Sequence, residues 1–277
     1  MRNKTKLFWS FVFCLVMYSS TSFATGPRVA PSLFVANVNQ IHAMEFPPFI
    51  SSTAKNQGLL IELIKRVLKA EKIAGDINVL PSQNMIKYYF SRENALAMIG
   101  HDFNLNKSEQ KKALFIPVLS TDEYYFSYNS AERAALNWNG KLSSFQDKTY
   151  GTNKGASVKK YKAAGIKIKY ARLQALLKKM QNQEVDFIRE PELTVQTLTE
   201  QYMPNEKHLF VRLEPKAGEI LLGIVFNAEH PDGRGSAKKF KQGLNKIIAN
   251  GEFKSILQKH LGDDANMLSY IKHLNVK

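Results

Sequence analysis

Residues 96–128 read LAMIGHDFNLNKSEQKKALFIPVLSTDEYYFSY. A short apolar run, Leu96-Ala97-Met98-Ile99, stops at Gly100. A polar loop follows, then a second apolar run from Ala113 to Leu119, then the aromatic segment Tyr124-Tyr125-Phe126. Short apolar runs bounded by Gly and polar turns read as buried strands of an α/β sheet. In such sheets ligands sit beyond the carboxyl ends of the strands. His101 to Lys111 is therefore expected to be a binding loop, and Tyr124 to Tyr128 a strand leaving for another lobe. An ordinary surface loop between two core strands would show the same pattern.

Upstream, Ser32 to Val38 reads as a first strand, followed by the turn His42-Ala-Met-Glu-Phe-Pro-Pro-Phe-Ile50. Its two prolines fix the backbone and forbid helix, so Glu45, Phe46 and Phe49 are expected on a stiff loop. They would form one wall of a cleft, or the two Phe side chains would plug the core. Gly58 to Lys72 is an amphipathic helix, with Leu60, Leu63, Ile64, Val67 and Leu68 on one stripe. Ile77 to Leu80 is a second strand, and Asn84 to Phe90 a short helix leading back to Leu96. Alternating strands and helices imply a largely parallel sheet with right-handed crossovers.

Downstream the plan repeats. Tyr150-Gly151-Thr152 ends a strand, and Asn153-Lys154-Gly155-Ala156-Ser157 leads into helix residues 158–163. Free backbone N–H groups at such a turn suit an anion or carbonyl, with Lys154 nearby. Leu173 to Met180 is a helix, Val185 to Ile188 a strand, Arg189 to Glu192 a loop, and Leu193 to Tyr202 a helix. Glu219 to Asn227 is a strand long enough to return to the first lobe. Gly235 to Ala249 and Glu252 to Leu261 are the closing helices, the last stopped by Gly262.

The first 24 residues read as an export signal. Arg2, Lys4 and Lys6 precede an apolar run from Leu7 to Met17, and Ser22-Phe23-Ala24 supplies small residues for cleavage after Ala24. The single cysteine, Cys14, lies inside that run, so residues 25–277 hold no thiol and can form no disulfide or thiolate metal site. A formal charge of +15 is spread over polar helix faces. No basic cluster is interleaved with aromatics, which argues against nucleic acid as a partner. Weak attraction to an anionic membrane or cell-wall surface fits the charge. No metal-ligand spacing or phosphate loop is present, and no cofactor is implied.

The chain resembles extracellular solute-binding family 3, the periplasmic polar-amino-acid binders of ABC importers. The resemblance covers nearly all of residues 25–277, in order. Phe46-Pro47-Pro48-Phe49 stands where the family has an aromatic-x-Pro-Phe turn. Ala97 to Gly100 and Ser108 to Lys112 are similar to its strand and Thr-x-Glu-Arg loop, and Phe115 to Tyr125 to its crossover. Tyr150 to Ser157 resembles the second-lobe glycine turn, Val185 to Ile188 the "Val-Asp-Ala" strand, and Asn250 to Gly262 the terminal helix. The resemblance implies an α/β, two-lobed periplasmic binding protein fold of type II, with a ligand cleft between lobes and a two-strand hinge. Lobe 1 would be residues 27–126 plus 223–277, and lobe 2 residues 127–222.

The implied ligand set is Glu45, Phe46, Phe49, His101, Asp102, Phe103, Gln110, Lys154, Gly155, Ala156, Ser157 and Glu190. Two departures bear on ligand choice. Gln110 stands where the family's carboxylate-clamping Arg belongs, and neither Gln nor the adjacent Lys111 offers a bidentate fork. The second-lobe Asp that takes an α-amino group falls near Pro191, with Glu190 or Glu192 as replacements. The resemblance implies a monomer that delivers a small polar ligand to an ABC permease. A soluble sensor presenting its ligand state to a membrane receptor would need the same hinge. An enzyme would have to use Glu45, His101, Asp102 and Glu190 as an acid–base set, and no nucleophile elbow accompanies them.

Overall fold

Strand and helix alternate in the computed structural model, which describes residues 39–80, 86, 88, 90, 91, 95–101, 105, 107–134, 136–262 and 270. All belong to one compact unit, Ala36–Lys277. The strands are β1 (Gln40–Met44), β2 (Asp76–Leu80), β3 (Ala97–Gly100), β4 (Ala113–Tyr128), β5 (Thr149–Thr152), β6 (Lys167–Tyr170), β7 (Phe187–Pro191) and β8 (Phe210–Asn227). The helices are α1 (Leu59–Ala70), α2 (Lys107–Lys112), α3 (Lys159–Ala163), α4 (Leu173–Gln181), α5 (Glu192–Tyr202), α6 (Gly233–Ala249) and α7 (Glu252–Leu261).

The strands form one sheet in the order β2-β1-β3-β8-β4-β7-β5-β6. β1 runs parallel to β2 and β3, and β5 parallel to β6 and β7. The long strands β4 and β8 are antiparallel to each other and to their outer neighbours. β3 pairs with β8 only as far as Gly100 opposite Gly223, and β7 joins β4 only from Glu123 opposite Pro191. Between those points the sheet is two strands wide, with Ser120, Thr121 and Asp122 opposite Leu221, Ile220 and Glu219. A break in register stands at each end of this neck, at Pro117/Leu119 and at Glu123/Tyr125.

Separate apolar cores lie on the two sides of the neck. α1, α6 and α7 pack Leu60, Leu63, Ile64, Phe240, Leu244 and Phe253 onto β1, β3 and the first half of β4. On the other side Leu176, Leu177, Met180 and Ile188 fill one face of the β4-β7-β5-β6 sheet. Tyr125, Trp138, Phe145, Phe187 and Tyr161 fill the opposite face. Tyr125 meets Trp138, Phe145 and Phe187 edge-on at ring distances of 4.6, 5.1 and 5.5 Å, the favoured geometry for aromatic pairs.

The aromatic turn seats α1. Backbone carbonyls of Pro48 and Phe49 accept the Leu59 and Leu60 amides at 3.1 and 2.8 Å, which satisfies donors a helix start leaves open. The chain approaches so closely that a Cβ on Gly58 (φ +94°) would lie 2.6 Å from the Pro48 carbonyl.

Several expectations are corrected. The first strand expected at Ser32–Val38 lies outside the described residues, as does cleavage after Ala24. β1 instead takes in His42 to Met44, because pairing to β2 and β3 on both sides extends the chain there. The proposed binding loop ends as α2 from Lys107. The two segments read from Ala113 and from Tyr124 are one strand, held continuous by pairing to β8. That partner likewise begins at Phe210 rather than Glu219. Arg189 and Glu190 lie in β7, opposite Tyr125 and Tyr124, and not in a loop. The Asn84–Phe90 helix falls mostly outside the described residues.

Gly223 is where β3, β8 and β4 converge. A Cβ there would sit 2.1 Å from the Ile116 carbonyl oxygen and 2.9 Å from Pro117 Cα, both backbone atoms. Neither can rotate away, so Gly223→Ala is expected to lower stability by about 1–3 kcal/mol through overpacking. Urea unfolding of the variant checks this, and an unchanged midpoint would contradict it.

Candidate functional site

β1, β3, β5 and β7 bring their carboxyl ends toward the neck, as their pairings with one another and with β4 and β8 require. Strand alternation then puts charge in one place. Tyr125 faces Arg189 across the β4–β7 ladder, and Glu123, two residues back on the same face, is a diagonal neighbour. Arg189 Nη2 lies 2.5 Å from Glu123 Oε2, with the side chains 20% and 14% exposed. The guanidinium occupies the space left by Gly218 on β8, where a Cβ would come within 2.4 Å of Nη2. Arg189 Nε is buried without a hydrogen-bond partner.

Three tyrosines enclose this pair. The Tyr125 and Tyr161 hydroxyls are 3.2 Å apart, and Tyr150 stacks on Tyr161 at 4.1 Å. Burial and the Tyr161 hydroxyl push Tyr125 and Tyr150 above the ordinary phenol range, so both stay neutral. Burial also raises the Glu123 carboxyl, against the opposing charges of Arg189, His101 and Lys160.

Glu190 is the unusual member. It is half-buried and receives no hydrogen bond or ion pair from any described residue. Burial and then the Glu123 charge push its pKa up to about 8, with only Arg189 opposing. A carboxylate in this state is short of a positive partner. With Glu123 and Glu190 ionised, the three strand side chains carry one excess negative charge.

The expected site residues divide accordingly. His101 and Glu190 are brought to the cluster, His101 acting on Glu123. Phe49 is not a cleft wall: with no exposed surface it belongs to the core beneath α1, stacked on half-buried Phe46 at 5.7 Å. Glu45 is exposed and accepts the Ser52 amide at 2.9 Å. Gln110 lies exposed on α2, where its amide donates to the Leu105 carbonyl at 2.9 Å. Lys154, Gly155 and Ser157 are exposed and Ala156 half-buried. The Ala156 amide closes a turn on the Asn153 carbonyl at 3.3 Å. The helix behind them, α3, has five residues. Asp102 and Phe103 lie outside the described residues.

Sequence reasoning missed Glu123, Arg189, Tyr125, Tyr150 and Tyr161. The available signal was charge inside strands: Glu123 directly before Tyr-Tyr-Phe, and Arg189 directly after Phe-Ile. Two surface depressions lie elsewhere. One of about 240 Å³ is lined by residues including Lys178, Tyr202 and Pro204. Another of about 480 Å³ lies between Ala113–Ile116 and α6. Among the described residues no group of His, Cys, Asp and Glu could hold a metal, and no helix is long and apolar enough to cross a membrane.

Solved structures match this architecture over nearly their whole length. The GluR0 ligand-binding core from Nostoc punctiforme, in complex with L-glutamate, superposes with a TM-score of 0.63 at 15% identity, covering 81% of this chain and 99% of that one. The fold is the two-lobed periplasmic binding protein fold. An ancestral arginine-binding protein bound to arginine gives 0.63 at 17% identity, over 81% of this chain and 98% of the other. The arginine-, lysine-, histidine-binding protein ArtJ from Geobacillus stearothermophilus gives 0.62 at 14% identity, over 83% and 98%. No protein-family model and no curated protein matches the sequence.

Proposed function

We propose that the protein is a periplasmic solute-binding protein, without chemistry of its own, that captures a small polar ligand carrying an amine or amide and delivers it to an ABC permease. The observation that carries this reading is Glu190, a half-buried carboxylate with no bonded cation, beside Glu123 at the neck. A ligand ammonium bound at Glu190 would supply the missing charge. The solved neighbours support the class, since their names include binders of glutamate, arginine, lysine and histidine. In this reading residues 1–24 are removed on export. Residues 27–126 with 223–277 form one lobe and residues 127–222 the other. The lobes close on a ligand because only the closed form contacts it from both sides.

Calorimetry with a panel of amines, basic amino acids, amides and dicarboxylates tests the reading. A ligand ammonium prefers ionised Glu190. Affinity is therefore expected to rise as pH increases toward about 8 and to level off above it. Tighter binding of a dicarboxylate than of any amine or amide would overturn it.

A further inference from the structure

From Lys148 to Gln183 the chain carries ten Lys and Arg residues and no Asp or Glu. The fold gathers this segment at one end of the molecule. β6 is the last strand of the sheet. Lys167 and Lys169 alternate with half-buried Ile168 along it, and the Lys148 carbonyl accepts the Lys167 amide at 2.8 Å. α3 leads directly into β6 with Lys159 and Lys162 exposed one turn apart, while Tyr161 points into the core. Charge compensation is sparse: Lys169 and Lys179 share Glu184, whereas Lys148, Lys159, Lys162 and Lys167 make no ion pair among the described residues.

Lysines on an edge strand discourage edge-to-edge pairing of sheets. That accounts for Lys167 and Lys169 but not for the lysines of α3 and α4. We propose that this rim is a docking surface for an anionic lipid membrane, engaging the phosphate headgroups of a leaflet through exposed lysines. The complementarity is one of charge: separate lysines near a negative leaflet add their attractions, which fall off beyond the screening length. A site for single-stranded nucleic acid would pair its lysines with a row of exposed aromatics. On β6 and α3 the exposed aromatic is Tyr170 alone. The inference is independent of the ligand site at the neck.

The test is co-sedimentation with vesicles of phosphatidylcholine alone, or with roughly a third phosphatidylglycerol. The full chain is compared with a rim variant, Lys148→Gln, Lys159→Gln, Lys162→Gln and Lys167→Gln. A matched variant carries Lys69→Gln, Lys238→Gln, Lys239→Gln and Lys254→Gln on the opposite lobe. Binding is expected only to the anionic vesicles. It should drop about tenfold or more in the rim variant, persist in the matched variant, and vanish at about 1 M salt. Circular dichroism confirms that both variants fold. Equal loss in the two variants would mean that only net charge matters, and would overturn the proposal. So would binding to neutral vesicles, or a tighter complex with a single-stranded oligonucleotide than with anionic vesicles.

Discussion

At pH 8.5 the ligand-free protein carrying Glu190→Gln is expected to melt about 5–10 °C above the parent, and near pH 5 the two should melt together. The Glu190 carboxyl moves from 4.5 to about 8 on folding, driven by burial and then by Glu123. Between those values the unfolded chain has released this proton while the folded chain still holds it. Raising the pH therefore favours the unfolded state, and stability is lost from about 4.5 up to about 8. At 1.36 kcal/mol per pH unit the ceiling is about 5 kcal/mol. Glu190 keeps part of its surface in water, so screening brings the expected loss to about 2–3 kcal/mol, or several degrees for a chain this size. Glutamine cannot ionise, so the variant's melting curve should lack the descent. Melts at half-unit steps between pH 5 and 9 decide it. Parallel curves for parent and variant would show that Glu190 does not hold the proton. The same substitution should weaken binding of a cationic ligand, so stability gained and affinity lost would mark one residue serving the site at the expense of the fold.

Arg189→Met is expected to have a comparable effect in the opposite direction. The guanidinium is the cation bonded to Glu123, at 2.5 Å, and the one positive charge opposing the shift at Glu190. Methionine keeps much of the volume over Gly218 and removes the charge, leaving Glu123 without its bonded cation and Glu190 without the charge that opposes its shift. Breaking such a pair from one side costs about 3–5 kcal/mol at neutral pH, because the remaining charge is uncompensated. Lowering the pH should return part of the loss as the carboxylates protonate. Combining Arg189→Met with Glu190→Gln should also recover part of it, giving a coupling energy of about 1 kcal/mol or more in a double-mutant cycle. A single-variant loss below about 0.5 kcal/mol would show the Arg189–Glu123 pair to be a surface contact.

Much of the fold could be read from hydrophobic pattern. α1 and α7 have the apolar stripes that define helices, α7 with Gly262 as its stop, and both fall within two residues of the expected limits. Strands covered on both faces, such as β3, announce themselves as unbroken apolar runs. The neck did not, because Ser120, Thr121, Asp122 and Glu123 interrupt the apolar pattern of β4 with polar residues. The segment consequently read as an apolar run and a separate exit strand. β7 misled for a related reason. After Phe187 and Ile188 it continues as Arg189-Glu190, and charged residues in a strand make sense only once the opposing Tyr125 and Glu123 are known. Those partners are distant in sequence, and no local period links them. Phe46 and Phe49 sit in a Pro-Pro turn that has no period at all, so nothing local distinguished the buried ring from the half-buried one. Glu190 was accessible as a site residue through the acidic pair Glu190 and Glu192 around Pro191 at the end of β7, whereas the arginine beside it became visible only as a partner in space.

The narrow neck has a mechanical implication. A ribbon two strands wide resists stretching along its length but yields readily to twist, so the halves of the molecule share one soft coordinate. Glu123 stands where that ribbon widens again, opposite Gly218 and bonded to Arg189. The charged cluster therefore sits beside the narrowest part of the sheet. In the closure proposed above, a rearrangement around this carboxylate would act on a short arm and carry the outer faces through a larger arc.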